Sequence, residues 1–221
     1  MKAMILAAGR GERMRPHSDS IPKPLLKVGG KPLIARLIQA LSATGIREIV
    51  VNHAHLGTSI EAALGDGRKY GVEIRYSHET EALETAGGIA KALPLLGFDP
   101  FIVVNGDIYC DFDFSALVVR TLGQNLAHLV LVANPPHHSE GDFTLNDGRV
   151  GETGAPRWTF SGIGLYRPEL FAKIMPGSKA QLAPLLRAAM AEKRVSGEVH
   201  DGVWHDVGTP ERLSALNERV A

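Results

Sequence analysis

The sequence contains one cysteine, Cys110, so no disulfide can form within the chain, and a reducing compartment fits. It carries no excess charge: 24 Lys and Arg are balanced by 24 Asp and Glu. The basic footprint of a protein that binds duplex nucleic acid or an anionic membrane is therefore missing, although a local basic site for a small anion is allowed. No run approaches the ~20 apolar residues of a membrane span. The apolar stretch Ala3–Ala8 is too short for a signal h-region and leads into the charged Arg10-Gly11-Glu12-Arg13. Aromatic residues are only 6% of the chain, but hydrophobic residues reach 44% and are spread throughout, which argues against disorder. At 221 residues the chain makes one large domain or two small ones and can bury roughly 70% of its unfolded surface. These features predict a cytoplasmic protein without a nucleic-acid or membrane partner, monomeric or a small homo-oligomer.

Short apolar runs alternate with helical periodicity. Lys2–Leu6 reads as a buried strand entering a loop at Gly9. Pro32 suits a first helical position, and Leu33, Ile34, Leu37, Ile38 and Leu41 then share one face until Gly45. Strands follow at 46–52, 72–77, 101–104 and 128–133, with helices at 59–64, 86–96 and 114–121. This order predicts an α/β fold: a Rossmann-like, doubly wound, mostly parallel sheet with helices on both faces. After residue 135 the pattern becomes β-rich. Asn146-Asp147-Gly148 signals a hairpin, a strand spans 158–166, and helices begin near Pro168 and Gln181. The chain closes with 195–207 and a helix that Thr209 would cap, with Pro210 next. With no linker in sight, 1–221 is one domain with an inserted β-rich region.

In open α/β sheets ligands sit beyond the carboxyl ends of the strands, and two chemically loaded segments fall there. In the first, Gly9 and Gly11 allow a backbone nest for phosphate oxygens, and Arg10, Arg13, Arg15 and Lys23 add positive charge. It is neither a dinucleotide G-x-G-x-x-G, because Met14 takes the third position, nor a G-x-x-x-x-G-K-[ST] loop. A bare G-x-G is more often an ordinary turn; four cations and a Pro-Lys-Pro on the same loop favour the phosphate reading. In the second, Asn105-Gly106-Asp107 ends a strand, where a carboxylate beside glycine suits Mg²⁺, an ion that takes one or two carboxylates plus phosphates and waters. An Asx turn is the plain alternative. Asp206, just before the last helix, offers a second carboxylate, or else a turn residue near the Thr209 cap.

These residues resemble the sugar-1-phosphate nucleotidyltransferase family. Leu6–Leu25 is similar to its L-A-A-G-x-G-x-R-(L/M)-x-P followed by P-K-P-L. Leu83–Gly88 resembles its L-G-T-A-G segment, Gly106-Asp107 its G-D, Phe160–Tyr166 its sugar-facing strand, and Trp204–Thr209 its W-x-D-x-G-T. The five motifs occur in order over essentially the whole chain.

The resemblance implies a Mg²⁺-dependent uridylyltransferase acting on UTP and a sugar 1-phosphate. Guanylyl or thymidylyl transfer to another hexose or heptose phosphate, and a silent nucleotide-sugar sensor, are the alternatives. It implies that residues 1–135 mainly bind nucleotide and 136–221 mainly bind sugar. Gly9, Gly11, Glu12 and Arg13 would hold the triphosphate, Lys23 would neutralise the reacting phosphates, and Asp107 and Asp206 would bind the metal. Arg13, Lys23, Asp107 and Asp206 would thus form the catalytic set. Ala8, Glu79 and Gly87 would line the base pocket; Asn105, Gly141, Glu152 and Gly162 would face the sugar.

Three departures stand out. Thr153 and Gly154 follow Glu152 where the family has E-K-P, which shifts the sugar-phosphate charge to Lys23 or a second metal. Asn105 replaces an apolar residue, and Glu79 stands where a glutamine commonly reads the base. The nine histidines lack zinc spacing and read as loop or surface residues, with His205 beside Asp206 the one to watch. Trp158 and Trp204 read as packing residues.

Overall fold

A computed structural model of the protein describes residues 1–220. The first half of the chain forms β1 (Ala3–Leu6), the hairpin β2 (Lys27–Val28) and β3 (Lys31–Pro32), α1 (Leu33–Ala43), β4 (Glu48–His53), α2 (Gly57–Leu64), β5 (Glu73–His78), α3 (Glu84–Leu96) and β6 (Phe101–Asn105). Next come β7 (Ile108–Cys110), α4 (Ser115–Val118), β8 (Ala127–Val132), β9 (Phe143–Asn146), β10 (Arg149–Gly151) and β11 (Arg157–Tyr166). The chain ends with α5 (Leu182–Ala191), β12 (Val195–Val199), β13 (Trp204–Asp206) and α6 (Pro210–Val220).

Side chains on a strand alternate between faces, and here both faces are covered. Ala3 and Ile5 of β1, with Ile102 and Val104 of β6, pack on one side against Ile34, Leu37, Ile38 and Leu41 of α1 and Ile60 and Leu64 of α2. Met4 and Val103 face the other side, against Ala86 and Ile89 of α3 and Leu186 and Ala189 of α5. Burying each of the large α1 side chains contributes about 1.5–3 kcal/mol, so the stripe at 33–41 is core. A third, smaller cluster joins Val28, Leu33, Val207 and Leu216, fixing α6 against the start of α1.

The main sheet has nine strands in the order β5-β4-β1-β6-β11-β8-β12-β10-β9. β5, β4, β1 and β6 run parallel. The chain passes from β1 to β4 on one side and later returns to β6 on the other, so a topological switch point lies between β1 and β6. β11 comes in antiparallel between β6 and β8, and β12 runs parallel to β8. The β-rich insertion therefore extends the same sheet, because β11 follows the β9–β10 hairpin without a crossover helix. That hairpin turns at Asp147 and Gly148, with φ of 49° and 73°, as its Asn-Asp-Gly sequence predicts.

Three expected elements change, the first being the helix expected near Pro168, which is only the 3-10 turn Pro168–Phe171. The segment 195–207 divides at the polar His200-Asp201-Gly202: β12 stays in the main sheet, whereas β13 leaves it and pairs with β7. The helix expected over 114–121 is the single turn α4, since beyond Leu117 its apolar residue Val119 is exposed. The final helix starts as expected, with Thr209 Oγ1 accepting from the Arg212 amide at 3.4 Å and Pro210 first in α6. Pro32 falls just before α1 rather than within it. Among the described residues no helix is long and apolar enough to cross a membrane.

Candidate active site

A cavity of about 640 Å³ opens at the switch point, between the loops that follow β1, β5 and β6. Strand pairing brings these loops together. Leu6 and Asn105 are register partners at the ends of β1 and β6, and the Gly106 amide donates to the Leu6 carbonyl at 2.8 Å. A side chain at 106 would place its Cβ 2.7 Å from that carbonyl oxygen, so the two loops touch only because residue 106 is glycine.

The first wall is the loop after β1. Gly11 has φ of 65° and turns the chain into a single 3-10 turn, Glu12–Met14, whose Met14 side chain is buried as the anchor. Ser18 Oγ donates to the Gly11 carbonyl at 2.8 Å and holds that turn from behind. Ala8, Gly9, Arg10, Gly11, Glu12 and Arg13 all line the cavity. Lys23 lies in the third 3-10 turn of this loop, after Pro22 and before Pro24. Its ammonium reaches across the crevice to pair with the Asp107 carboxylate. Two residues 84 positions apart, both read from the sequence as reacting-phosphate and metal residues, are thus in direct contact at the cavity.

The second wall is built on Glu79, which is 1% exposed yet borders the cavity. Its Oε1 accepts from Asn52 Nδ2 at 2.7 Å and its Oε2 from the Leu83 amide at 2.9 Å. Asn52 Oδ1 in turn accepts from the Ala7 amide at 2.9 Å, tying this wall to the end of β1. The network satisfies a buried carboxylate that would otherwise be costly. Ala82, Glu84 and Thr85 extend the wall into α3. Gly87 does not line the cavity: a Cβ there would meet the Ser178 carbonyl, and the Ala86 and Gly87 amides both donate to the Ala180 carbonyl, at 2.9 and 3.0 Å. Its smallness seats the 178–180 strap against α3.

Asp206 approaches from the β7–β13 ribbon. It is paired in register with Ile108, and the Val207 amide donates to the Asp107 main-chain carbonyl at 2.9 Å, so the ribbon brings the two aspartates into neighbouring positions. The Asp206 carboxylate pairs with Arg212 through Oδ2, and its Oδ1 lies 3.0 Å from His137 Nε2. Gly208, not Asp206, forms the cavity surface here. His205 sits on the same strand opposite Tyr109; burial first, then the charge of Arg219, pushes its pKa down. The histidine that touches Asp206 is His137.

Of the residues expected at the sugar, Asn105 lines the cavity. Gly162, at a bulge in β11 with φ of 81°, packs behind it; a Cβ there would lie 2.5 Å from the Asn105 amide nitrogen. Gly141 instead packs beside Asn134 and Arg157, and Glu152 pairs with Arg187 at 3.0 Å; neither lines the cavity. Trp204 packs with the first core cluster and donates from Nε1 to the Ser161 carbonyl at 2.9 Å, linking the ribbon to β11. Sequence reading takes His137 as a loop residue and does not single out Asn52 or Arg212. Only Asn52 carried a signal, as a polar residue ending an apolar strand whose carboxyl end faces the crevice.

A doubly wound sheet with a glycine-turned, cation-bearing loop facing a strand-end aspartate defines a phosphate-handling α/β protein. The nucleotidyl transferase family model matches residues 2–145, and the chain belongs to that family. It is 57% identical over 220 residues to an N-acetylmuramate alpha-1-phosphate uridylyltransferase of Neisseria meningitidis serogroup B, covering 96% of this chain and 95% of that one. A Caulobacter vibrioides protein of the same name is 33% identical over 99% of this chain and 96% of its own. In fold, the chain superposes with a TM-score of 0.87 and 24% identity on a Bacillus anthracis protein assigned as a glucose-1-phosphate thymidylyltransferase, covering 100% and 95% of the two chains.

Proposed function

We propose that this protein is a uridylyltransferase that joins UTP to N-acetylmuramate α-1-phosphate, giving UDP-N-acetylmuramate and pyrophosphate, with Mg²⁺ as its divalent cation. The observation that carries this reading is the Lys23–Asp107 pair at the switch point, beside the Gly11 turn, in a chain 57% identical to a protein of that activity. Residues 1–135 then form the nucleotide side and 136–221 chiefly the sugar side.

The residues fit a hard cation that keeps most of its coordination for phosphate and water. Among the described residues no group of three or more His, Cys, Asp or Glu could hold a metal ion, but Asp107 and Asp206 lie at neighbouring positions of one ribbon, and a metal between them would draw Asp206 from its Arg212 and His137 partners. Mg²⁺ bound there would offset charge on the triphosphate and align it.

In the reaction, an oxygen of the sugar phosphate attacks the α-phosphorus of UTP in line; the new P–O bond forms as the bond to the β-phosphate oxygen breaks, and pyrophosphate leaves. The attacking oxygen is already anionic, so the protein needs no general base and its work is positioning and charge neutralisation. The backbone of Gly11 and Glu12 with the Arg13 side chain holds the triphosphate. Lys23 exchanges its Asp107 partner for the reacting phosphates and lowers the repulsion between two anions in a partly desolvated crevice. Asn105, fixed from behind by Gly162, presents its amide to the sugar side.

Pyrophosphate release measured over a panel of UTP, GTP, dTTP and CTP against N-acetylmuramate, N-acetylglucosamine, glucose and mannose 1-phosphates tests this reading. UTP with N-acetylmuramate 1-phosphate is expected to give the highest kcat/KM by tenfold or more. A preference for another pair would reassign the substrates, and nucleotide binding without turnover in Mg²⁺ would make the protein a sensor.

A further inference from the structure

Among the described residues, four other than glycine hold a positive φ: Leu56, Glu84, Asp147 and Lys193. Three have local explanations in chain geometry. Asp147 is in the hairpin turn, Lys193 follows the end of α5, and Leu56 immediately precedes α2. Glu84, at φ 62°, is the one that lines the cavity. A side chain is disfavoured in this left-handed region, and the family segment that Leu83–Gly88 resembles has glycine here, which adopts it without strain. Strain kept at the wall of a binding site points to a use for the side chain that causes it.

The surroundings narrow that use. Glu84 is exposed, and its carboxylate has no ion pair or side-chain hydrogen bond among the described residues. The nearby charges Glu81 and Lys179 are paired with one another at 2.7 Å. Glu79, on the same wall, has both oxygens engaged by Asn52 and Leu83. The wall thus holds one carboxylate already committed to the fold and one with its acceptors available. The cations that suit a triphosphate, Arg10, Arg13 and Lys23, are on the loop after β1, which leaves the nucleoside against residues 79–85. An ionised carboxylate can only accept hydrogen bonds.

We propose that Glu84 is a specificity-determining residue whose carboxylate accepts a hydrogen bond from a donor on the nucleoside, a ribose hydroxyl or a ring N–H. The inference rests on the reading that UTP occupies this cavity. It adds a discriminating contact that a glycine at this position would lack.

The test compares Glu84→Gly with the unaltered enzyme, using kcat/KM for UTP, 2′-deoxy-UTP and CTP at saturating N-acetylmuramate 1-phosphate, alongside thermal melting. Deoxy-UTP removes a ribose donor, and CTP replaces the ring N–H by a lone pair. In Glu84→Gly, the preference for UTP over one of these analogues is expected to fall about tenfold, the scale of one hydrogen bond to a charged group. The melting temperature is expected to rise as the strain is released. Glu84→Gln, which keeps an acceptor, should retain part of the preference, and Glu84→Ala repeats the comparison should the glycine variant fold poorly. Ratios within twofold of the unaltered enzyme for both analogues would overturn the proposal, as would a lower melting temperature with a uniform loss of rate. If the unaltered enzyme turns over no UTP, the parent reading fails instead. Equilibrium binding of UTP, deoxy-UTP and CTP to the two proteins then decides the role of Glu84 on its own.

Discussion

Two clusters in this molecule are built from the same ingredients and behave differently. At the crevice, Lys23 pairs with Asp107 beside a cavity of about 640 Å³. In the other half of the sheet, Arg120 Nη2 pairs with Glu198 at 2.6 Å, while His128, on the adjoining strand, sits 3.5 Å from the same carboxylate and takes Ser196 Oγ at 2.9 Å. The second cluster is fixed in the sheet: Arg120 Nε, His128 Nε2 and Glu198 Oε1 are buried without hydrogen-bond partners, although the Arg120 and Glu198 side chains keep 34% and 29% exposure, against 12% and 32% for Lys23 and Asp107. The first borders the cavity, so its charges can swap partners when an anion arrives. Placement at a cavity, rather than exposure or composition, separates a working ion pair from a structural one.

That contrast can be broken at either end. The largest effect belongs to the pair at the cavity. Lys23→Ala or Asp107→Asn should lower kcat by about 10²–10³-fold, the scale of removing one preorganised charge contact, with melting nearly unchanged. A rate within threefold of the unaltered enzyme for either variant would show that the pair is structural after all.

Next in size is the buried network of the second wall, which combines features of both clusters. Asn52→Leu leaves a Glu79 oxygen and the Ala7 amide without partners, costing about 3 kcal/mol, or roughly 6–12 °C in melting temperature for a chain of this length. An unchanged melting curve would mean that water replaces the amide and that the wall is softer than its hydrogen bonds suggest.

The smallest effect sharpens the second cluster through pH. The His128 ring beside it, and then the charge of Arg120, hold the Glu198 carboxyl below its ordinary value, against the opposing effect of burial. A depressed carboxylate contributes stability above the unfolded-state value, about 4.3, and that stability is lost as pH falls through the lower, folded value. Melting measured from pH 6 down to pH 3 should therefore fall less steeply for Glu198→Gln than for the unaltered protein, while kcat at pH 7 stays the same. Parallel melting profiles would remove Glu198 from the account.

The cluster at the cavity could be read in the sequence, and the one within the sheet could not. Gly11, Lys23 and Asp107 are legible because each sits in a short segment whose chemistry is local: a turn that needs glycine, a lysine beside two prolines, an aspartate after an apolar strand. The alternation of apolar runs and helical stripes likewise placed β1, α1, β4 and α3, since both faces of the sheet had to be covered. Arg120 and Glu198 are 78 positions apart, and His128 reaches Ser196 and Glu198 only because β8 pairs with β12, a register that no local pattern encodes. The same holds for Asn52 with Glu79, for His137 on Asp206, and for β11, whose place between β6 and β8 depends on the whole sheet. Gly87 lies outside the cavity lining for a related reason: the strap that covers it comes from residues 178–180.

The last helix has a role that its distance from the phosphate loop conceals. Asn217 of α6 donates to the Lys27 carbonyl at 3.1 Å and accepts from the Gly29 amide at 2.9 Å, while Arg212, near its start, grips Asp206. The hairpin that continues directly from the Lys23 turn and the strand carrying Asp206 are therefore clamped to one rod. Lys23 and Asp206 thus share a mechanical frame, and separating them would require breaking the Asn217 and Arg212 contacts of a single helix.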